Sequence, residues 1–428
     1  VTAHDFVYAW RRLADPATAS PYSWFAEIMA LENVGAVMSG ESPPEALGIR
    51  ALDNLTLEVR LTASLPYFAA MTTHASTYPT PQWTVKTFGD DWTKPGNIVG
   101  NGAYVLTEHI PNETATRERN SLYWNNDATI INKVVTLIMN DENTDFTRWE
   151  AGETDRGAIP SGQYPRLKAQ YPEEAISFPR LCTYYYTFNL SPSGQDALQD
   201  VRVRQALSYA LDRSVVTDKI LQGGQIQAFT FTPGATAGFE VPAVAFGQMT
   251  QDERNAKAKE LMAEAGYGPD NPLSVEVMYN TSEGHKKIAI AVQQMWKETL
   301  GVKATLANQE WKTFLKTRGG QNFDIARGGW CGDYNEASTF LDLLTTPSGY
   351  NDGKFSNAEV DELMTSARTM SDATSNYTRV EEILANEMPV IPVYHYTGVF
   401  MLRKNVKGWP FNNVEQNIYS RDLYKVAD

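Results

Sequence analysis

Residues 273–306 alternate apolar and polar positions, change to a helical period and change back, and this succession constrains the fold more than any other stretch. Residues 273–279 read as a strand, residues 285–300 as a helix ended by Gly301, and residues 302–306 as a second strand. Upstream, residues 183–189 form an aromatic, β-rich run, Thr-Tyr-Tyr-Tyr-Thr-Phe-Asn. An amphipathic helix follows over residues 201–211, with Val201, Val203, Ala206, Leu207, Ala210 and Leu211 facing inward. Residues 255–265 predict another, stopped by Gly266 as its C-cap. Residues 390–396 predict a buried strand. Strands and helices alternating in this way predict an α/β domain with a mixed sheet.

A chain of 428 residues exceeds what one core usually supports, so two or three domains are expected. Residues 1–81 predict a small accessory α+β domain. It opens with a helix over residues 5–13, for which Thr2 and Asp5 supply a capping box, and continues with a second helical stretch over residues 21–38. A strand pair follows, residues 49–52 and 55–61, turned by Asp53 and Asn54. Pro79, Pro81, Pro95 and Gly96 then break the pattern and mark a passage between lobes. Residues 102–106 and 134–138 are strand-like and residues 144–151 helical. The grain changes at Cys182, and the chain after about residue 400 is expected to cross back to the first lobe.

Composition excludes several classes. At 42% hydrophobic and 21% charged residues the chain is an ordinary globular one. Its net charge of −14, spread without long acidic blocks, argues against nucleic acid or an anionic membrane as partner, since both need basic patches. No apolar run reaches the length of a membrane span. The five histidines are scattered and neither cysteine stands at metal-ligand spacing, so no metal and no cofactor are expected. On residues alone, Cys182 and Cys331 are equally readable as a disulfide or as two buried thiols.

The stretch Gly328-Gly329-Trp330-Cys331-Gly332-Asp333-Tyr334-Asn335-Glu336-Ala337 follows a β-like run, residues 322–327. Glycines let a backbone come close to a ligand, a carboxylate at such a point can hold a cation, and Trp330 can wall it off from water. An Asp after glycines is otherwise most often a turn former.

This stretch resembles the ammonium-binding segment of periplasmic oligopeptide-binding proteins, the extracellular solute-binding receptors (family 5) of peptide ABC importers. The resemblance runs over nearly the whole chain. It is densest at Val1-Thr2-Ala3-His4-Asp5-Phe6-Val7-Tyr8, Leu181-Cys182-Thr183-Tyr184-Tyr185-Tyr186, Asp200-Val201-Arg202-Val203-Arg204-Gln205-Ala206-Leu207 and Gln309-Glu310-Trp311-Lys312-Thr313-Phe314-Leu315. It implies a two-lobe periplasmic-binding-protein fold of the large three-domain type, with the amino-terminal part missing and any export signal lost with it. Residues 82–181 and 400–428 would be parts of a discontinuous domain 1, and residues 182–399 the second α/β lobe. The segment after Gly152 is shorter than the resemblance leads one to expect, which weakens any transfer of residue roles between Arg156 and Gln163.

Short extended peptides are the ligands so implied, held by main-chain pairing that ignores their side chains. Gly328, Gly329 and the strand of residues 182–187 are the expected main-chain partners. Asp333 would take the peptide's α-ammonium. Arg318, Arg327 and His285 would meet its carboxylate or an acidic side chain. Tyr185, Trp311, Gly329, Trp330, Cys331 and Tyr396 would line the pockets. Leu221 stands where the family can carry a lysine for longer peptides, which implies a bias toward short ones. The resemblance also implies a Cys182–Cys331 disulfide, a periplasmic location (or a cell-surface lipoprotein in a single-membrane bacterium), a monomer, and an inner-membrane ABC permease as partner. The alternative within the family is a murein-peptide receptor, with Arg318 on a side-chain carboxylate. An enzyme, most plausibly a glycoside hydrolase given 11% aromatic residues, would need two paired acids at a cleft. Asp333 and Glu336 are better explained by ammonium binding and capping, and no nucleophile elbow, P-loop or dinucleotide fingerprint is present. A non-enzymatic receptor is expected.

Overall fold

The computed structural model describes residues 1–427. Its centre is a mixed seven-stranded sheet. The strands among the described residues are β1 (Ile49–Ala51), β2 (Leu57–Val59), β3 (Tyr104–Ile110), β4 (Thr114–Arg119), β5 (Lys133–Leu137), β6 (Arg156–Ala158), β7 (Ala175–Phe188), β8 (Ile226–Gln227), β9 (Ser274–Asn280), β10 (Lys303–Gln309), β11 (Ile325–Cys331), β12 (Val390–Leu402), β13 (Val406–Lys407) and β14 (Tyr424–Lys425). The central sheet runs β10-β9-β11-β7-β12-β6, with β8 paired to β12. β9 is parallel to β10 and β11, while β7 is antiparallel to both β11 and β12.

The predicted β-helix-β succession forms as β9, a helix Glu283–Leu300 and β10. Ser282 caps that helix, and Gly301, at φ 69°, closes it in the left-handed conformation that glycine adopts without strain. Trp296 is fully buried beneath it, and its indole N–H donates to the Leu207 carbonyl at 2.8 Å, tying it to the helix Val201–Tyr209. Five of the six residues expected inward on that second helical stretch are buried; Val201, at its first turn, is half-exposed. These helices and β7, β9, β11 and β12 enclose one apolar core.

The opening helix spans Ala3–Ala14, and the Thr2 amide donates to the Asp5 carboxylate at 2.7 Å as its capping box requires. The expected helix over residues 21–38 is instead two short ones, Ser23–Ile28 and Val34–Met38. Ala30 and Asn33 between them have positive φ, which no continuous helix accommodates. β1 and β2 pair as a hairpin, and Asp53 accepts from the Leu55 and Thr56 amides to form its turn. This segment shares an apolar core with residues 330–390, through Trp24, Phe25, Trp330, Tyr334 and Phe340. β4 was not foreseen; it lies between β3 and β5 in a separate three-stranded sheet. After β12 the chain returns to the region of residues 104–155. Tyr104 donates to the Ser420 carbonyl at 3.2 Å, and Lys425 pairs with Asp155 at 2.8 Å.

Candidate functional site

β11 is paired with β7 along its whole length, but with β9 only at Ile325 and Ala326. From Arg327 to Cys331 its other edge has no backbone partner among the described residues. Such an edge can receive an extended chain as an added strand. The expected second main-chain partner, residues 182–187, cannot serve, because β11 and β12 take both its edges. Its contribution is the side chains. A Cβ on Gly328 would meet the Tyr185 ring at 2.3 Å, so glycine lets that phenol pass directly under β11. A Cβ on Gly329 would meet the Arg327 guanidinium at 2.5 Å. Cys331 and Cys182 are cross-strand neighbours and form the expected disulfide, which fastens the end of the open edge.

Asp333 follows that edge. Its side chain is 9% exposed; Tyr22 donates to Oδ1 at 3.4 Å, and His74 Nε2 lies 3.4 Å from the same atom. The Ser76 amide donates to His74 Nδ1, which leaves the proton on Nε2, aimed at the carboxylate. Oδ2 is buried with no hydrogen-bond partner. Burial pushes the Asp333 carboxyl up to about 7, moderated by the Tyr22 hydroxyl. A carboxylate so enclosed, with one oxygen unsatisfied, is matched to a cation delivered from outside the chain. Glu336 caps instead, accepting from the Ser338 amide at 2.7 Å.

The candidate cations divide. Arg318 is buried and already paired: its Nε donates to Asp352 at 2.6 Å and Nη2 to the Tyr350 hydroxyl at 3.2 Å. Arg327 has no acid within ion-pair reach among the described residues. It donates to the Tyr396 hydroxyl at 2.6 Å and to Asn280 Oδ1 at 3.4 Å, lies over the Tyr184 ring at 4.8 Å, and has an unpartnered Nε. His285 stands against Tyr184, and burial first, then Arg327, pulls it down to about 3. It therefore offers a neutral imidazole rather than the cation expected.

Trp330 is buried, donates to the Thr339 carbonyl at 2.7 Å and packs on Trp24 and Tyr350. It props the open edge from behind. Trp311 is 47% exposed and stacks only on Phe314, apart from the other candidates. Tyr396 joins Arg327 to a cavity of about 250 Å³ that His285 and Leu221 also line. Two roomier hollows, about 430 and 520 Å³, lie along residues 118–133, the first also against residues 421–424, and hold none of these groups. His74 and Tyr22 were missed in the sequence because they carry no motif and stand far along the chain from Asp333.

The chain matches the family described as bacterial extracellular solute-binding proteins, family 5, over residues 1–352. It is 41% identical to the periplasmic oligopeptide-binding protein OppA of Salmonella typhimurium, over 99% of this chain and 78% of that protein. The solved Escherichia coli murein tripeptide binding protein MppA superposes with a TM-score of 0.96 at 43% identity, over 100% of this chain and 84% of that one. MppA in its unliganded open form superposes at only 0.72. Haemophilus influenzae OppA in complex with the peptide RPPGFSPFR gives 0.93 at 39% identity, covering 100% of this chain and 84% of its own. The two-lobe fold expected from the sequence is borne out.

Proposed function

The chain belongs to the bacterial extracellular solute-binding proteins of family 5, and from that membership we propose that it is the periplasmic, peptide-binding receptor of an ABC importer. The observation that carries the reading is the open edge of β11 ending at Asp333. An extended peptide adds to that edge as a strand, so its amides are satisfied whatever its sequence. Its α-ammonium pairs with Asp333, in a dry site where a charge-assisted bond is strong. Its carboxylate meets Arg327, which has no acid within ion-pair reach among the described residues, whereas Arg318 is already paired with Asp352. Closure of the lobes supplies the dryness. The poorer match to the open form of MppA than to its other structure supports a hinge between the two states. In the closed state the monomer docks on an inner-membrane permease.

The likeness to MppA keeps a murein-peptide receptor as the second reading. The two relatives' identities, 44% and 41%, do not separate them, but the Asp352 partner of Arg318 weighs against a side-chain carboxylate at Arg318. Denaturing release of what co-purifies with the protein, read by mass spectrometry, distinguishes them. A ladder of mixed short peptides is expected; a single tripeptide species would establish the murein reading.

A further inference from the structure

Beyond Tyr396, the cavity of about 250 Å³ is lined by two arginines that no sequence motif singled out, Arg156 and Arg180. Neither has an ion-pair partner among the described residues. Arg180 is half-buried, and its Nε is fully enclosed with no hydrogen-bond partner. Arg156 is exposed, its guanidinium 4.7 Å above the Phe400 ring. The acids nearby are engaged elsewhere: Asp145 accepts from the Ala158 amide at 3.0 Å, and Glu142 from the Ser161 amide and hydroxyl at 3.0 and 3.1 Å. Burial pulls Arg156 down, the Asp145 charge offsets part of this, and Arg180 repels it; neither guanidinium has an acid at ion-pair distance among the described residues.

The rest of the lining holds one acid, Glu142, already bonded to Ser161, and two side chains with unpartnered nitrogens. Gln416 Nε2 and His285 Nδ1 are buried without partners. Gln416 occupies left-handed backbone, φ 56°, unusual for its type, and a Cβ on Gly398 would strike its amide nitrogen at 2.3 Å. The chain accepts local strain and a glycine to keep that amide where it is. Leu221 closes the wall without polar groups of its own.

We propose that Arg156 and Arg180 form a second carboxylate-binding position, which receives an acid group of the peptide beyond the one at Arg327. The position rests on the peptide-receptor reading and deepens it. It changes what Leu221 implies: the cavity is cationic without a lysine there, so acid groups of longer peptides are held and not only those of short ones. The acid group is either the carboxy-terminus of a longer peptide or an acidic side chain.

Calorimetric titration of the full chain tests this, with the double variant Arg156→Gln/Arg180→Gln beside the wild type. The probes are trialanine, pentaalanine, pentaalanine amide, Ala-Ala-Glu and Ala-Ala-Gln. Trialanine should bind both proteins equally, which also reports that the variant is folded. The variant should lose about tenfold or more toward pentaalanine or Ala-Ala-Glu, the scale of one charged hydrogen bond. A loss for pentaalanine matched by its amide in the wild type identifies the carboxy-terminus; a loss confined to Ala-Ala-Glu identifies the side chain. Equal affinities of variant and wild type for every probe would overturn the position while leaving the receptor reading intact. Failure of the wild type to bind any of the five would overturn the receptor reading itself.

Discussion

Asp333 carries opposed demands, and its substitutions should separate them. Its carboxyl, pushed up to about 7 by burial, holds a proton in the folded ligand-free chain that the unfolded chain releases near 3.8. It therefore favours folding below about pH 4, and that contribution is lost as pH rises through 7. Asp333→Asn should accordingly raise ligand-free stability at pH 8, by about 1 kcal/mol or more in urea unfolding. The same variant should weaken peptide binding by about 2 kcal/mol or more, because the buried ammonium is left unpaired. A variant that gains neither stability nor loses affinity would remove Asp333 from the site. The binding sign with pH is the reverse of the folding sign: an ammonium pairs only with the ionised carboxylate. Affinity measured from pH 8 to 5.5 should fall below about pH 7, by at most tenfold per unit, and Asp333→Asn should lack that acid limb. Asp333 was legible in the sequence because glycines, an indole and the acid stand together. His74 and Tyr22, which set its environment, were not, since nothing local links residues so far apart.

At the scale of elements, β11 works because its edge beyond Ala326 is unpaired, Gly328 and Gly329 remove one side chain from each face, and a disulfide fastens its end. Gly328→Ala would place a methyl group 2.3 Å from the Tyr185 ring, itself wedged edge-on against Phe231. The expected cost is about 1–3 kcal/mol in denaturant unfolding, with Gly332→Ala a weaker comparison because it meets the aliphatic side chains of Leu181 and Thr339, the nearest at 2.7 Å, rather than a ring at 2.3 Å. Reduction of Cys182–Cys331, which closes a loop of 149 positions, should lower stability by about 2–4 kcal/mol; superimposable curves with and without reductant would contradict that role. Elements with a strong period were readable: β9, the helix Glu283–Leu300 and β10 all stand where the pattern put them. The stretch 21–38 misled because its apolar residues keep helical spacing across a turn made by Ala30 and Asn33, a break no glycine or proline announces. The double occupation of β7 was equally hidden, because a strand's sequence does not say how many neighbours it has.

For the whole molecule, the proposed receptor encloses a peptide between two lobes and holds it by its main chain and charged groups. Family resemblance reached the two-lobe fold and pointed to Asp333, while the cavity with Arg156 and Arg180 lies partly in the segment where that resemblance thinned. The most direct test is calorimetric titration of the ligand-free protein with trialanine and with N-acetyl-trialanine. Saturable binding of trialanine is expected, with a loss of at least about thirtyfold on acetylation, which removes the charge proposed to pair with Asp333. Equal affinity for the two peptides, or no binding of either, would contradict this expectation.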